Sequence, residues 1–251
     1  MSGRYRQFCP VAKAAEILAE RWMPVVVREL LYGSRRWSDY QHGIPTISPG
    51  VLRQRLNELV EAGIAVRRGT TYVPTESGEA LRPIIEAMGH WGQRWVQRTV
   101  AESDSDPRLL VWAAHRYLRL GALPAKATIA LEFPNEPASR RYFWLVVRDG
   151  NVEVCLSHPG LPVDVTIIAD AREFARLYLG HVDCGAVLAS RGIAVQGNPA
   201  LVRSFRHWFP RSGFATTQPS TTRPRAMRVE SLPHGRRKRP VGISARGAAS
   251  S

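Results

Sequence analysis

Gly50, Arg53, Gln54 and Asn57 follow one another at steps of three, one and three residues. At roughly 100° per residue a helix gathers all four on one side. A guanidinium and two carboxamides on one helical face approach phosphates and read base edges in a DNA groove. The other side carries Leu52, Leu56, Leu59 and Val60, an apolar stripe at i, i+4, i+7 and i+8. Ser48 is a candidate N-cap, Pro49 suits the first helical turn, and Gly63 closes the segment. An amphipathic surface helix with no nucleic-acid role has the same pattern, so the flanking segments decide.

Those segments predict three shorter helices before it. Pro10–Glu20 places Val11, Ala14, Ala15 and Leu18 on one side. Arg21-Trp22-Met23-Pro24 breaks the pattern, which resumes over Val25–Leu31 and ends at Gly33. Trp37–Tyr40 is a third short helix, and Gly43–Thr46 a turn. A short helix, a Gly/Pro turn and an amphipathic helix make a helix-turn-helix. After Gly63 the period changes to that of strands. Ile64–Arg68 and Thr71–Pro74 flank Gly69-Thr70, a hairpin whose basic arm puts Arg67 and Arg68 near a phosphate backbone. Thr75 can cap a following helix in which Leu81, Ile84, Ile85, Met88, Trp91 and Trp95 form a wide apolar stripe, kinked or split at Pro83. That stripe packs within its own chain or pairs with the N-terminal helix of a second copy.

The 251 residues suggest one large or two modest domains, and the net charge of +14 points to a polyanionic partner. The charge is uneven: +5 over residues 1–100, +1 over 101–210 and +8 over 211–251. A nearly neutral middle between basic ends predicts parts with different partners. Cys9, Cys155 and Cys184 have no metal-ligand spacing and fit a reducing cytosol. No apolar run is long enough to span a bilayer, so no membrane partner is expected. The seven histidines are scattered, and no phosphate loop, metal helix or nucleophile elbow is present. The expectation is therefore a non-enzymatic protein with no cofactor and no metal.

Beyond an acidic linker at 100–107 the pattern predicts a helix over Arg108–Leu120, then strands over Thr128–Phe133, Arg141–Val147, Val152–Leu156 and Val163–Ala169. Arg148-Asp149-Gly150-Asn151 is a hairpin signal. Asp170 caps a helix over Ala171–Leu179, followed by a short helix over Val182–Ser190, a strand over Ile193–Gln196 and a closing helix over Pro199–Trp208. From Arg211 the chain is rich in Ser, Thr, Pro, Gly and Arg and is expected to be a disordered basic tail, with Arg236-Arg237-Lys238-Arg239 as a candidate DNA arm. The fold class is α+β, divided as 1–99, a linker at 100–107, 108–210 and a tail at 211–251.

The order Cys9-Pro10-Val11, Glu20-Arg21-Trp22, Arg28-Glu29-Leu30-Leu31, Arg35-Arg36-Trp37-Ser38-Asp39, Ile47-Ser48-Pro49, Leu52, Arg55-Leu56, Leu59 and Ala62-Gly63-Ile64 resembles the HxlR-type winged-helix transcriptional regulators, over about residues 8–95. The resemblance implies a homodimer on a pseudo-palindromic operator in double-stranded DNA. Gly50, Arg53, Gln54 and Asn57 would lie at the groove, with Arg35, Arg36, Ser38, Ser48, Arg67 and Arg68 around it. Gly50 departs from relatives that carry a long polar or basic side chain there, which removes a base contact and leaves close backbone approach. Cys9 precedes the first helix near Arg4, Arg6 and Lys13, a setting that favours the thiolate. Regulators of this type are similar in using such a cysteine to sense oxidants or electrophiles, while an inert thiol at a dimer seam is the plainer reading.

Trp144-Leu145, Asp149-Gly150, Asp164-Val165-Thr166-Ile167, Phe174, Leu177, Gly180, Gly192, Val195-Gln196-Gly197-Asn198 and Leu201 resemble the sterol-carrier-protein-like fold over about 105–209. That resemblance implies an apolar effector held between sheet and helices. Candidate lining residues are Phe133, Phe143, Leu145, Val154, Ile167, Phe174 and Leu177, each equally suited to an ordinary core. The expectation is thus a DNA-binding regulator located in the cytoplasm with the nucleoid. Its partners would be DNA, a second copy and an apolar effector. The alternative is a lipid carrier whose basic ends serve membranes.

Overall fold

The computed structural model describes residues 5–96, 100–101, 105–209 and 211–217. The expected basic run Arg236–Arg239 lies outside the described residues, as does the rest of the tail from 218 onward.

The first lobe contains α1 (Pro10–Leu18), α2 (Met23–Leu31), α3 (Trp37–Gly43), α4 (Pro49–Glu61), β1 (Ala65–Arg68), β2 (Thr71–Pro74), α5 (Glu76–Glu79) and α6 (Arg82–Trp95). Its core gathers Val26, Val27 and Leu30 of α2, Tyr40 of α3 and Leu52, Leu56 and Leu59 of α4, all fully buried. Each such leucine contributes about 2 kcal/mol of hydrophobic stabilisation. Val60, expected on the same stripe, falls at its edge and is 36% exposed. The break between α1 and α2 is made by Trp22, whose φ of 76° is left-handed. Pro24 then fixes the first turn of α2. The expected split at Pro83 also occurs: Thr75 caps the four-residue α5, and α6 starts afresh with Pro83 in its first turn.

The second lobe contains α7 (Pro107–His115), β3 (Lys126–Glu132), α8 (Ala138–Arg141), β4 (Tyr142–Arg148), β5 (Asn151–Cys155), β6 (Val165–Ala169), α9 (Ala171–Tyr178), α10 (Cys184–Ala189), β7 (Ile193–Gly197) and α11 (Pro199–Ser204). One five-stranded sheet has the order β5-β4-β3-β6-β7, with β3 and β6 parallel and the other pairs antiparallel. Asp149 and Gly150 take φ of 50° and 78° at the β4–β5 turn, the left-handed pair that suits a two-residue hairpin. Asp170 caps α9 by accepting from the amides of Arg172 and Glu173.

The register sets Leu131 beside Phe143 and Ile167, and Leu145 beside Ile129 and Val154. The expected ligand-lining residues therefore form rows of core side chains. Phe133, Phe143, Leu145, Ile167 and Phe174 are at most 2% exposed. Phe133 meets Phe143 and Phe174 edge to face at 5.9 and 6.1 Å. Val154 and Leu177 pack against the same cluster.

The two lobes pack within one compact unit, Met1–Ser220. Of the described residues in the expected linker, Val100 and Ser105 are buried, and Asp106 caps α7 through the amide of Arg108. Residues 211–217, assigned by composition to the tail, fold back as a strap. The Ser212 amide donates to the Tyr178 carbonyl at 2.7 Å, and Phe214 lies over Gly89 of α6. His90 Nδ1 and Thr217 Oγ1 are 2.6 Å apart. Burial of Ser212 and Ala215 supplies what composition does not report.

Candidate nucleic-acid interface

α4 begins at Ser48, whose hydroxyl accepts from the Val51 amide at 3.4 Å, and runs for 13 residues. Its buried side fixes its rotation, so Gly50, Arg53, Gln54 and Asn57 are all exposed together. A Cβ at Gly50 would meet nothing within 4 Å, so packing does not demand glycine there. The Arg53 guanidinium lies 5.7 Å from the centre of the Trp37 ring on α3. Gln54 Nε2 donates to Glu58 Oε1 at 2.9 Å. These contacts steady the long side chains without enclosing them.

Arg55, next to this row, does a different task. It is 8% exposed, donates through Nε to the Arg21 carbonyl at 2.9 Å, and pairs with Glu20 and Glu58. The left-handed turn at Trp22 is thus tied to α4 by a buried guanidinium. Composition and periodicity give no signal that separates this arginine from Arg53 beyond its position at the edge of the apolar stripe.

The wing stands beside α3. The Tyr72 amide donates to the Arg35 carbonyl at 2.8 Å, and Arg36 bridges to Thr71. Arg36, Ser38, Ser48, Arg67 and Arg68 are exposed. Arg67 Nε donates to the Gly69 carbonyl at 3.1 Å, with its guanidinium 5.9 Å from the Tyr72 ring centre. Arg35 is the exception among the expected contacts. Its Nη1 donates to the carbonyls of Leu30 and Ser34 at 2.7 and 3.0 Å, so it caps the end of α2. Helix ends leave carbonyls unpaired, and this side chain satisfies them.

Cys9 is the N-cap residue of α1, half-buried, with no disulfide. No residue of α1 is buried, and Phe8 just before it is 99% exposed. On α6 the stripe divides. Ile85 turns into the core, while Ile84, Met88, Trp91 and Trp95 remain exposed, Trp91 at 61%.

A polar seam joins this interface to the second lobe, and sequence reasoning missed it. Glu29 of α2 is 1% exposed. Its Oε1 accepts from Arg28 Nη2 at 2.8 Å, and its Oε2 accepts from Ser34 Oγ at 2.9 Å and from Arg116 at the end of α7. Burial pushes the Glu29 carboxyl up, but Arg28 and Arg116 outweigh it and hold it below its ordinary value. A Cβ on Gly43 would collide with Glu29 Oε2, so α3 presents a glycine where the carboxylate needs room. Beside it Trp112 of α7 contacts His42 and His115, with ring centres 4.8 and 4.4 Å away. Arg116 lies 87 positions from Glu29, beyond the reach of any local pattern.

Among the described residues, three clefts bear on these surfaces. The first, about 700 Å³, is lined on the helical side of the second lobe by Phe174, Leu177, Phe209 and Arg206. Two of the expected ligand-lining residues reach it. Phe133 lines a second of about 450 Å³ with Asn135 and Asp170. The third lies between the lobes, about 440 Å³.

Among the described residues no helix is long and apolar enough to cross a membrane. Residues 17–100 match the HxlR-like helix-turn-helix family, and residues 119–210 match the SCP-2 sterol transfer family. The uncharacterized HTH-type transcriptional regulator YvaP of Bacillus subtilis is 35% identical over 98 residues, which are 36% of this chain and 91% of that protein. The HTH-type transcriptional regulator YodB of the same organism is 29% identical over 106 residues, 38% of this chain and 95% of that one. The crystal structure of quinone-bound YodB matches at 32% identity and a TM-score of 0.32, covering 34% of this chain and 96% of that one. With an open polar helix face, a basic wing beside it and relatives matched over nearly their whole length, the chain is a DNA-binding transcription regulator and belongs to the HxlR-like helix-turn-helix family.

Proposed function

We propose that two copies of this chain bind a pseudo-palindromic operator, and that the second lobe modulates that binding. The observation that carries the proposal is the solvent-open row Gly50, Arg53, Gln54 and Asn57 beside Arg67 and Arg68. Arg53 and Gln54 have the groups that read guanine and adenine edges, and the wing arginines suit phosphates. Pairing is supported by the apolar groups Phe8, Val11, Ile84, Met88 and Trp91, which stand exposed among the described residues. Two copies so joined would place two α4 helices about one DNA turn, roughly 34 Å, apart. The effector is expected to be apolar, with the cleft at Phe174 and Leu177 as its support in the second lobe. No enzymatic step is part of this reading.

Selection of bound sites from random duplexes tests it. The full chain is expected to enrich a symmetric sequence. Arg53→Ala combined with Gln54→Ala should weaken the selected site by about a hundredfold while leaving non-specific binding in place. Enrichment of no symmetric sequence, or equal affinity of the double variant, refutes the operator. A carrier would instead extract lipid from vesicles and show no sequence preference.

A further inference from the structure

The cavity of about 440 Å³ between the lobes is walled by α2 and α6 on one side and by α7 and α9 on the other, with Phe214 of the strap across it. Its size is within the range of small-molecule sites. It adjoins the cleft at Phe174 and Leu177, and the two share Tyr178, Ser212 and Gly213.

Its wall has two characters. At one end Arg28 and Arg116 converge from different lobes on the single carboxylate of Glu29. Two guanidiniums meet one carboxylate at this end, while the second carboxylate of the wall, Glu86, belongs to α6. Three phenols, Tyr32, Tyr117 and Tyr178, join them on the wall. Burial raises the pKa of each, so all three remain neutral hydrogen-bond donors. Tyr32 and Tyr117 meet edge to face at 6.4 Å. Trp112 adds an indole whose buried Nε1 has no acceptor among the described residues. The rest of the wall is apolar, with Leu109, Leu110, Leu179 and Phe214. Glu86 is the opposing charge; Arg82, one turn before it on α6, is paired with Glu79 and lies 5.9 Å from the Tyr32 ring.

We propose that this cavity binds an aromatic molecule carrying one acidic group, a carboxylate or sulfonate, as an effector. The ring system would lie among Trp112, Phe214 and the tyrosines, and the acidic group at Arg28 and Arg116. Only the consequence for transcription rests on the operator reading. α7 forms one wall of the cavity and packs through Trp112 on His42 of α3. A ligand seated there favours the arrangement of α3, and so of α4, that fits it best, and it shifts DNA affinity by that preference.

Anilinonaphthalene sulfonate, an aromatic anion that fluoresces when buried, is the probe, and neutral phenylnaphthylamine is its control. Titration of the full chain should saturate at one sulfonate per chain, with the neutral compound binding about tenfold more weakly because it lacks the charge-assisted contacts. Ala113→Trp, which fills the cavity from α7, should weaken the sulfonate at least about tenfold by steric exclusion. Glu86→Gln should tighten it about threefold by removing like charge. An Ala113→Trp chain that remains folded by circular dichroism and binds the sulfonate like the parent overturns the site. Equal affinity for the two probes overturns the acidic class. Unchanged affinity for a duplex under saturating sulfonate overturns the effector role. The titrations contain no DNA, so their failure leaves the operator reading standing, and a failed operator selection does not touch them.

Discussion

The polar side of α4 and the polar seam between α2 and α7 hold similar groups in opposite ways. On α4 the guanidinium of Arg53 and the amides of Gln54 and Asn57 face solvent, with Arg53 against Trp37 and Gln54 on Glu58. In the seam Glu29 is shut away with Arg28, Ser34 and Arg116 around it. Exposed charges contribute little to folding and are free for a partner. An enclosed carboxylate depends on every partner it has, because water cannot replace one that is lost. Substitutions on α4 should therefore alter binding and spare stability, and substitutions in the seam should do the reverse first.

The sharpest way to break this contrast is Arg116→Met. It leaves Glu29 with Arg28 and Ser34 only, and should lower stability by about 3 kcal/mol in denaturant unfolding. Arg53→Ala should stay within about 0.5 kcal/mol of the parent in the same measurement. Equal midpoints for the parent and Arg116→Met would erase the difference between the two regions.

Acid should act on the seam next. Burial pushes His115 down to about 4, with backbone bonds to Trp112 opposing and the Arg116 charge adding to it. Burial also lowers His42 and His181. The unfolded chain takes up these protons near its ordinary histidine value of about 6.5. The folded chain resists until about 4 at His115. Between those values the unfolded state binds more protons, so stability falls as pH falls. The loss by the acid end of the window should be on the order of 2 kcal/mol, and His115→Gln should remove most of it. A flat unfolding midpoint across that window for the parent would show the seam to be hydrated.

The smallest effect belongs to the wing. Arg67→Ala with Arg68→Ala should leave the unfolding midpoint in place and reduce the slope of log affinity against log salt by about 1–2. An unchanged slope would remove the wing from the DNA contact and leave α4 alone.

Much of the first lobe is legible in its residues because the signals are local. Ser48 and Thr75 cap the helices they precede, and the apolar period of Leu52, Leu56 and Leu59 sets the rotation of α4. The strands of the second lobe follow from alternation in the same way, and the hairpin at Asp149-Gly150 from its turn chemistry. Three things were not legible, each for a physical reason. Arg35 looks like Arg36, but only the placement of the α2 end turns it into a carbonyl cap. Phe133 and Phe143 suit a ligand pocket or a core, and the register that closes their rings together is a property of the whole sheet. The seam and its cavity depend on how two lobes meet, so Glu29, Gly43 and Arg116 carry no mutual signature along the chain.

Gly89 links matters that otherwise look unrelated. A side chain there would strike the ring of Phe214, so the strap grips α6 at that point. The same helix displays Met88 and Trp91 on another flank. A rigid rod cannot twist about its axis on one side only. Any turn of α6 about its axis at Gly89 would carry Met88 and Trp91 through the same angle.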